Sequence, residues 1–161
     1  MNTAYSDESL ENPYIQYMTI ADKFLNIPFM QGVITDTHFG ARDRMGRYLT
    51  FLARILTDHH GTVSVVRGVA LDEQTALLLD TNTGMATTVG NGNGGHGYIC
   101  LATQLPEVCQ PALPLTFSNI QCTRVSAQAG DVFSFKSWSG EGVAYVNQVT
   151  NGKIVTAPYG P

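Results

Sequence analysis

The sequence is poor in charge, in paired cysteines and in long apolar runs, and each shortage removes a class of function. Nine Lys and Arg stand against thirteen Asp and Glu in 161 residues, a formal net charge of -4. Nucleic acids and anionic membranes both require clustered positive charge to displace counterions, so neither is an expected partner and any basic site must be local. The longest apolar stretches, such as Thr75–Leu79 and Tyr98–Ala102, fall far short of the ~20 residues that cross a bilayer. The opening residues, Met1 to Glu8, lack the basic start and apolar core of a secretion signal. No export address is read there, and a cytoplasmic and a secreted location both stay open. Cys100, Cys109 and Cys122 lack C-x-x-C metal spacing, and an odd count leaves one thiol unpaired in any disulfide scheme. Buried thiols are the simpler reading, whereas a Cys100–Cys109 bridge would suit an exported protein. The chain also contains no Gly-x-Ser-x-Gly, the strained turn that presents a serine nucleophile between a strand and a helix.

What is present has the size and the 43% apolar content of one globular domain. Residues 1–20 are polar with scattered tyrosines and an interrupting Pro13, which predicts a linker or irregular start. Phe24–Ile27 leads through Pro28 to Gly32-Val33-Ile34-Thr35-Asp36, a short β-branched run that reads as a buried strand. Met45, Tyr48, Leu49, Leu52, Ile55 and Leu56 then recur at three- and four-residue steps, predicting a helix over Ala41–Leu56 with one apolar stripe. Gly61 suits the left-handed turn that ends it. Strands are expected at Val63–Val66 and Val69–Leu71, split by Arg67-Gly68, and Thr75–Leu79 with Met85–Val89 reads as a hairpin. That order fits the second half of an α/β domain with a mostly parallel sheet. Beyond Gly97 the pattern turns to short strands at Tyr98–Ala102, Gln121–Ser126, Val132–Lys136, Val143–Val149 and Ile154–Thr156, with Asn151-Gly152 as a hairpin turn. The organisation expected is therefore an α/β part over 1–97 and a β-rich completion or appended unit over 98–161.

The residues with most chemistry are Thr35-Asp36-Thr37-His38-Phe39-Gly40-Ala41-Arg42-Asp43-Arg44-Met45-Gly46-Arg47. A histidine just past a strand end can take a proton from a hydroxyl nucleophile if a carboxylate orients its other nitrogen. Asp72-Glu73, between two apolar runs, places carboxylates where one could reach a neighbouring strand end. Arg42, Arg44 and Arg47 could hold a carboxylate through paired guanidinium hydrogen bonds, with Arg42 and Arg47 spaced for nearby faces and Arg44 directed elsewhere. Their ordinary fate would be a solvated surface or an ion pair to Asp43. Other groupings carry less. Gly92-Asn93-Gly94-Gly95-His96-Gly97 is formally a G-x-G-x-x-G, but Tyr98–Leu101 reads as a strand where a dinucleotide site needs a helix. His59-His60 with His38 and Asp36 could be imagined around zinc, without any His-x-x-x-His spacing. They fit a helix C-terminus better. Ser137 and Ser139 sit between two expected strands and read as turn serines.

These segments together resemble the cyanophycinase and dipeptidase E family of serine peptidases. Glu8-x-Leu10-x-Asn12-Pro13, Phe24-Leu25 and Thr35-Asp36-Thr37-His38-Phe39 are similar to the stretch that follows the nucleophile in that family, and the resemblance thins beyond Leu79. It implies the C-terminal part of a three-layer α/β/α sandwich related to class I glutamine amidotransferases, with a β-rich C-terminal extension. It implies His38 as base, Glu73 as its orienting acid, and Asp36, Thr37, Arg42, Arg44 and Arg47 as substrate-contacting positions. Thr37 stands where cyanophycinases tend to carry glutamine, which speaks against strict cyanophycin specificity. The implied substrates are aspartyl or β-aspartyl peptides, with no cofactor and no metal. Since the family's Gly-x-Ser-Ala-Gly elbow is missing, the chain is expected to be inactive alone and to need an N-terminal half or a second chain. The alternative is a non-catalytic module whose arginines hold an acidic peptide or a sugar acid.

Overall fold

The computed structural model describes residues 3–21, 26–59, 61–91 and 95–161. In chain order its elements are α1 (Ser6–Glu11), β1 (Val33–Asp36), α2 (Met45–Asp58), β2 (Val66–Leu71), β3 (Thr75–Leu79), β4 (Met85–Gly90), β5 (His96–Ala102), β6 (Phe117–Ser126), β7 (Val132–Ser134), β8 (Ser139–Gly140), β9 (Val143–Thr150) and β10 (Lys153–Ile154). Six strands form one sheet in the order β1-β2-β5-β6-β9-β10, and four form a second in the order β3-β4-β7-β8. Among the described residues only β1 and β2 run parallel; every other pair is antiparallel. The expectation of a mostly parallel sheet is thus corrected. A parallel pair needs a crossover of a dozen or more residues, and α2 is the one helix long enough to make it. Links such as residues 80–84 and 151–152 are too short for anything but antiparallel returns.

The apolar stripe of α2 packs on one face of the six-stranded sheet. Met45, Tyr48, Leu49, Leu52 and Leu56 are buried there with Val66, Ala70, Tyr98, Cys100, Ile120, Cys122 and Val149. The opposite face meets the second sheet, where Val69, Ile99 and Val125 pack with Ala86, Phe133 and Phe135. The layers are therefore helix, sheet and sheet. The fold is α/β but richer in β than an α/β/α sandwich, because the hairpin strands cover the face that helices would take. The boundary expected at residue 97 falls inside β5, which pairs with β2 on one side and β6 on the other.

Several local readings change. Residues 6–11 are helical rather than irregular: the Glu8 carboxylate accepts the Tyr5 N–H at 3.4 Å, and Leu10 is buried. The long helix starts at Met45 instead of Ala41, because Asp43 takes a left-handed φ of 44° that no helix accommodates. β2 runs unbroken through Arg67 and Gly68. Arg67 lies over the Trp138 ring at 5.3 Å, and on the other face Gly68 leaves room for Tyr48. Cys100 and Cys122 face each other across β5 and β6 and are joined by a disulfide, while Cys109 is the buried free thiol. Neither three thiols nor a Cys100–Cys109 pair is formed, since strand register rather than nearness in sequence chooses the partner. At Asn151-Gly152, φ values of 47° and 72° make the expected two-residue turn. Phe24 and Leu25 lie outside the described residues. Among those described, no helix is long and apolar enough to cross a membrane.

The contact between Gly68 and Tyr48 fixes how closely α2 approaches the sheet. A Cβ at residue 68 would overlap the Tyr48 hydroxyl and stand 2.7 Å from its ring, which is fully buried. Gly68→Ala is expected to lower stability by about 2 kcal/mol through overpacking, read as a shifted urea midpoint. Gly61→Ala, with open space around its Cβ but φ of 88°, should lose only about 1 kcal/mol.

Candidate functional site

The site lies where β1 and β2 end and β5 begins. Parallel pairing of Asp36 with Ala70 and antiparallel pairing of Leu71 with Gly97 bring the segments after Asp36 and Leu71 beside His96. The chain then folds over the strand ends. The Phe39 N–H donates to the Leu71 carbonyl at 3.1 Å, and the fully buried Phe39 ring stacks among Tyr48, Tyr98 and Tyr159 with centroids 5.0–5.9 Å away. His38, just before it, holds a left-handed φ of 51°. That conformation costs about 1–2 kcal/mol for a residue with a side chain, so the contacts around it must impose it.

His38 Nδ1 lies 2.8 Å from Glu73 Oε1. A carboxylate only accepts, so in the neutral imidazole the proton sits on Nδ1 and Nε2 keeps its lone pair. The two side chains are 49% and 43% exposed, leaving the dyad open to a ligand. Arg42 Nε stands 3.8 Å from the same Glu73 oxygen and is itself largely exposed.

The other arginines do different work from their expected grouping. Arg47 makes a two-pronged contact with the buried carboxylate of Asp36, Nε donating to Oδ2 at 2.7 Å and Nη2 donating to Oδ1. Arg44 Nη1 donates to the Thr37 carbonyl at 2.6 Å and lies 3.6 Å from Asp36. Burial and the neighbouring Arg47 lower the Arg44 pKa. Arg44 and Arg47 therefore converge, and Arg42 stands apart with Glu73. The physical reason is the late start of α2, which leaves Arg42 in a turn and puts Arg44 three residues before Arg47. Thr37 contributes backbone: its N–H donates to Asp36 Oδ1 at 2.8 Å. Asp43 pairs with no arginine; it accepts the Tyr159 hydroxyl at 2.7 Å, and burial and this bond push the Tyr159 pKa far up. A cavity of about 80 Å³ lies between Arg42, Arg44 and residues 3–6.

Some participants were hidden in the sequence. Asp72 Oδ1 accepts the Gly40 N–H at 2.8 Å, and Oδ2 accepts the His96 N–H at 3.2 Å. His96 belonged to a glycine-rich run whose Gly92, Asn93 and Gly94 lie outside the described residues. Tyr98 packs on Tyr159, and burial, then nearby Asp72, push its pKa up to about 12, so it stays a hydroxyl. The unbroken apolar run of β5 from Tyr98 to Ala102 could have marked Tyr98 as buried, but nothing local marks Tyr159. His59 caps the C-terminal end of α2, roughly 20 Å along the helix from Met45, which removes the imagined grouping with His38 and Asp36; His60 is outside the described residues. Among the described residues no group of three or more His, Cys, Asp and Glu could hold a metal ion. Ser137 and Ser139 bond each other at 2.9 Å in the β7–β8 turn, as turn serines do.

Removing Arg47 would leave a buried carboxylate with the Thr37 N–H and the longer Arg44 contact but no close cation. Arg47→Ala is expected to cost about 3 kcal/mol, whereas Arg42→Ala should stay within about 0.5 kcal/mol, both measured by chemical denaturation. Compared with known proteins, no family model, curated protein or solved structure matches this chain.

Proposed function

We propose that this chain carries the base and orienting acid of a cyanophycinase-like serine peptidase acting on aspartyl or β-aspartyl peptides, with the nucleophilic serine supplied from outside these 161 residues. The observation that carries the reading is the 2.8 Å contact between His38 Nδ1 and Glu73 Oε1, two residues far apart in sequence and half exposed at a strand end. In this reading the serine hydroxyl attacks the scissile carbonyl carbon while His38 Nε2 takes its proton. The proton then passes to the leaving amine as the C–N bond breaks, and water hydrolyses the acyl group by the same route. Glu73 holds the tautomer and stabilises the imidazolium. Arg42, exposed beside the 80 Å³ cavity, would hold a substrate carboxylate.

Edge geometry favours a nucleophile delivered next to β1. Among the described residues β1 pairs only with β2, and a further parallel strand on its free edge would lie about 4.8 Å away and end on the same side as His38. An elbow following such a strand would present its serine to the dyad. That arrangement would also extend the sheet toward the three-layer sandwich of the resembling family. Without a serine in place the chain has no acyl-enzyme to form, and it is inactive by itself. The small cavity beside Arg42 and Arg44 favours a second reading, a module that binds a carboxylate ligand without cleaving it.

The test is to read the DNA upstream of the Met1 codon and assay the protein it encodes. An in-frame Gly-x-Ser-Ala-Gly, with β-aspartyl-arginine hydrolysis that drops about 10³-fold or more in His38→Ala, is the expected result. An in-frame stop, with N-acetylaspartate bound to the 161-residue chain and released by Arg42→Ala, would replace the peptidase by the binding module.

A further inference from the structure

We propose that Asp72 is the positioning residue that sets the orientation of the His38 ring, so that the adjacent carboxylates Asp72 and Glu73 divide the work: Glu73 contacts the imidazole and Asp72 fixes the backbone that carries it. The catalytic meaning of this assignment rests on His38 being a general base, but the geometry and its test do not.

The loop carrying His38 is pinned on both sides. Before His38, the Thr37 carbonyl receives Arg44 Nη1 at 2.6 Å. After it, the Phe39 carbonyl receives the Arg44 N–H and the Phe39 N–H reaches the Leu71 carbonyl, each at 3.1 Å. The next N–H, that of Gly40, has one acceptor, Asp72 Oδ1 at 2.8 Å. Asp72 is in turn anchored to β5, because its other oxygen accepts the His96 N–H at 3.2 Å and lies 3.4 Å from His96 Nδ1, while its own N–H donates to the His96 carbonyl at 3.0 Å. One side chain thus ties the β1 end to the start of β5 directly beneath the dyad. Its carboxylate is one-fifth exposed, against 43% for Glu73, which suits a bracing role for Asp72 and a ligand-facing role for Glu73.

Gly40 shows how close the fit is. A Cβ added there would stand 2.9 Å from Asp72 Oδ1, so an alanine must displace the carboxylate. The left-handed φ of His38 adds a reason for the brace: released from Asp72, residues 38–40 can relax to an ordinary backbone conformation and swing the ring away from Glu73.

The experiment uses the full chain with ¹⁵N-labelled histidine, held above the ordinary imidazole range so that the ring is neutral. In the native protein the ¹⁵N shifts of His38 should report a protonated Nδ1 and an unprotonated Nε2, as the Glu73 contact demands. Asp72→Ala should turn this into the averaged signal of exchanging tautomers, and so should Gly40→Ala. Asp72→Asn keeps an acceptor for the Gly40 N–H but turns an amide N–H toward the His96 N–H, so its His38 signal should lie between the native one and that of Asp72→Ala. Amide spectra of the remaining residues check folding; should Asp72→Ala fail to fold, Gly40→Ala decides. A folded Asp72→Ala or Gly40→Ala protein whose His38 signal matches the native one overturns the proposal, and so does an Asp72→Asn protein more disturbed at His38 than Asp72→Ala. No hydrolysis enters the readout, so the brace can fail while the peptidase reading stands, and the reverse.

Discussion

Burial of Phe39 is the constraint on which the site geometry hangs. Its ring is fully enclosed by three tyrosines contributed by α2, β5 and the C-terminal segment, and withdrawing it would return a large apolar side chain to water at about 2–3 kcal/mol. Because Phe39 must point inward, the preceding His38 is held at the rim where β1 ends. The left-handed backbone at His38 joins a strand that finishes at Asp36 to a ring that reaches the core within three residues, and the Gly40 bond to Asp72 pins the far side of that join. The C-terminal segment takes part as well. Tyr159 covers Phe39 and bonds Asp43, so the last residues of the chain help shape a site formed near its beginning.

How much of this could be read from the sequence depended on whether the signal was local. The stripe on α2, the Asn151-Gly152 turn and the strand carrying Val33–Asp36 follow from spacing and side-chain stereochemistry within a few residues and stand where they were expected, although that strand is a half-buried edge rather than a buried one. Strand direction does not have a local signal. Val66–Leu71 reads the same in a parallel or an antiparallel sheet, and in the fold it pairs parallel with β1 and antiparallel with β5. The Cys100–Cys122 bridge depends on the register of β5 against β6, which a cysteine count cannot supply. At the site, His38 and Glu73 were identified from residue type and resemblance, and they do meet. The arginine grouping was misjudged because a helix starting at Ala41 and one starting at Met45 give Arg42 and Arg44 different directions.

The charges at the site explain why three arginines are not three ligand contacts. Asp36 is buried, and a buried carboxylate needs a partner of matching geometry to offset its lost hydration. Arg47 provides the two-pronged partner, and Arg44 spends its guanidinium on the Thr37 carbonyl and the far side of the same carboxylate. Both are committed to holding the β1 end in place. Arg42 is the exposed cation, steadied by Glu73 at a distance that leaves its hydrogen-bonding capacity available.

That commitment places a limit on what the site can recognise. A ligand carboxylate entering beside Arg42 meets a guanidinium already near Glu73, so a ligand that draws Arg42 toward itself relieves Glu73 of a second partner. In the proposed peptidase, recognition and proton transfer would thereby be coupled through one carboxylate. With Arg42 at Glu73, the guanidinium competes with the imidazole for the same oxygen; with Arg42 engaged by a ligand, Glu73 is left to His38 alone. The arrangement therefore favours a tighter dyad when an anionic ligand is bound than when the site is empty, a direct consequence of a shared acceptor rather than of any movement in the fold.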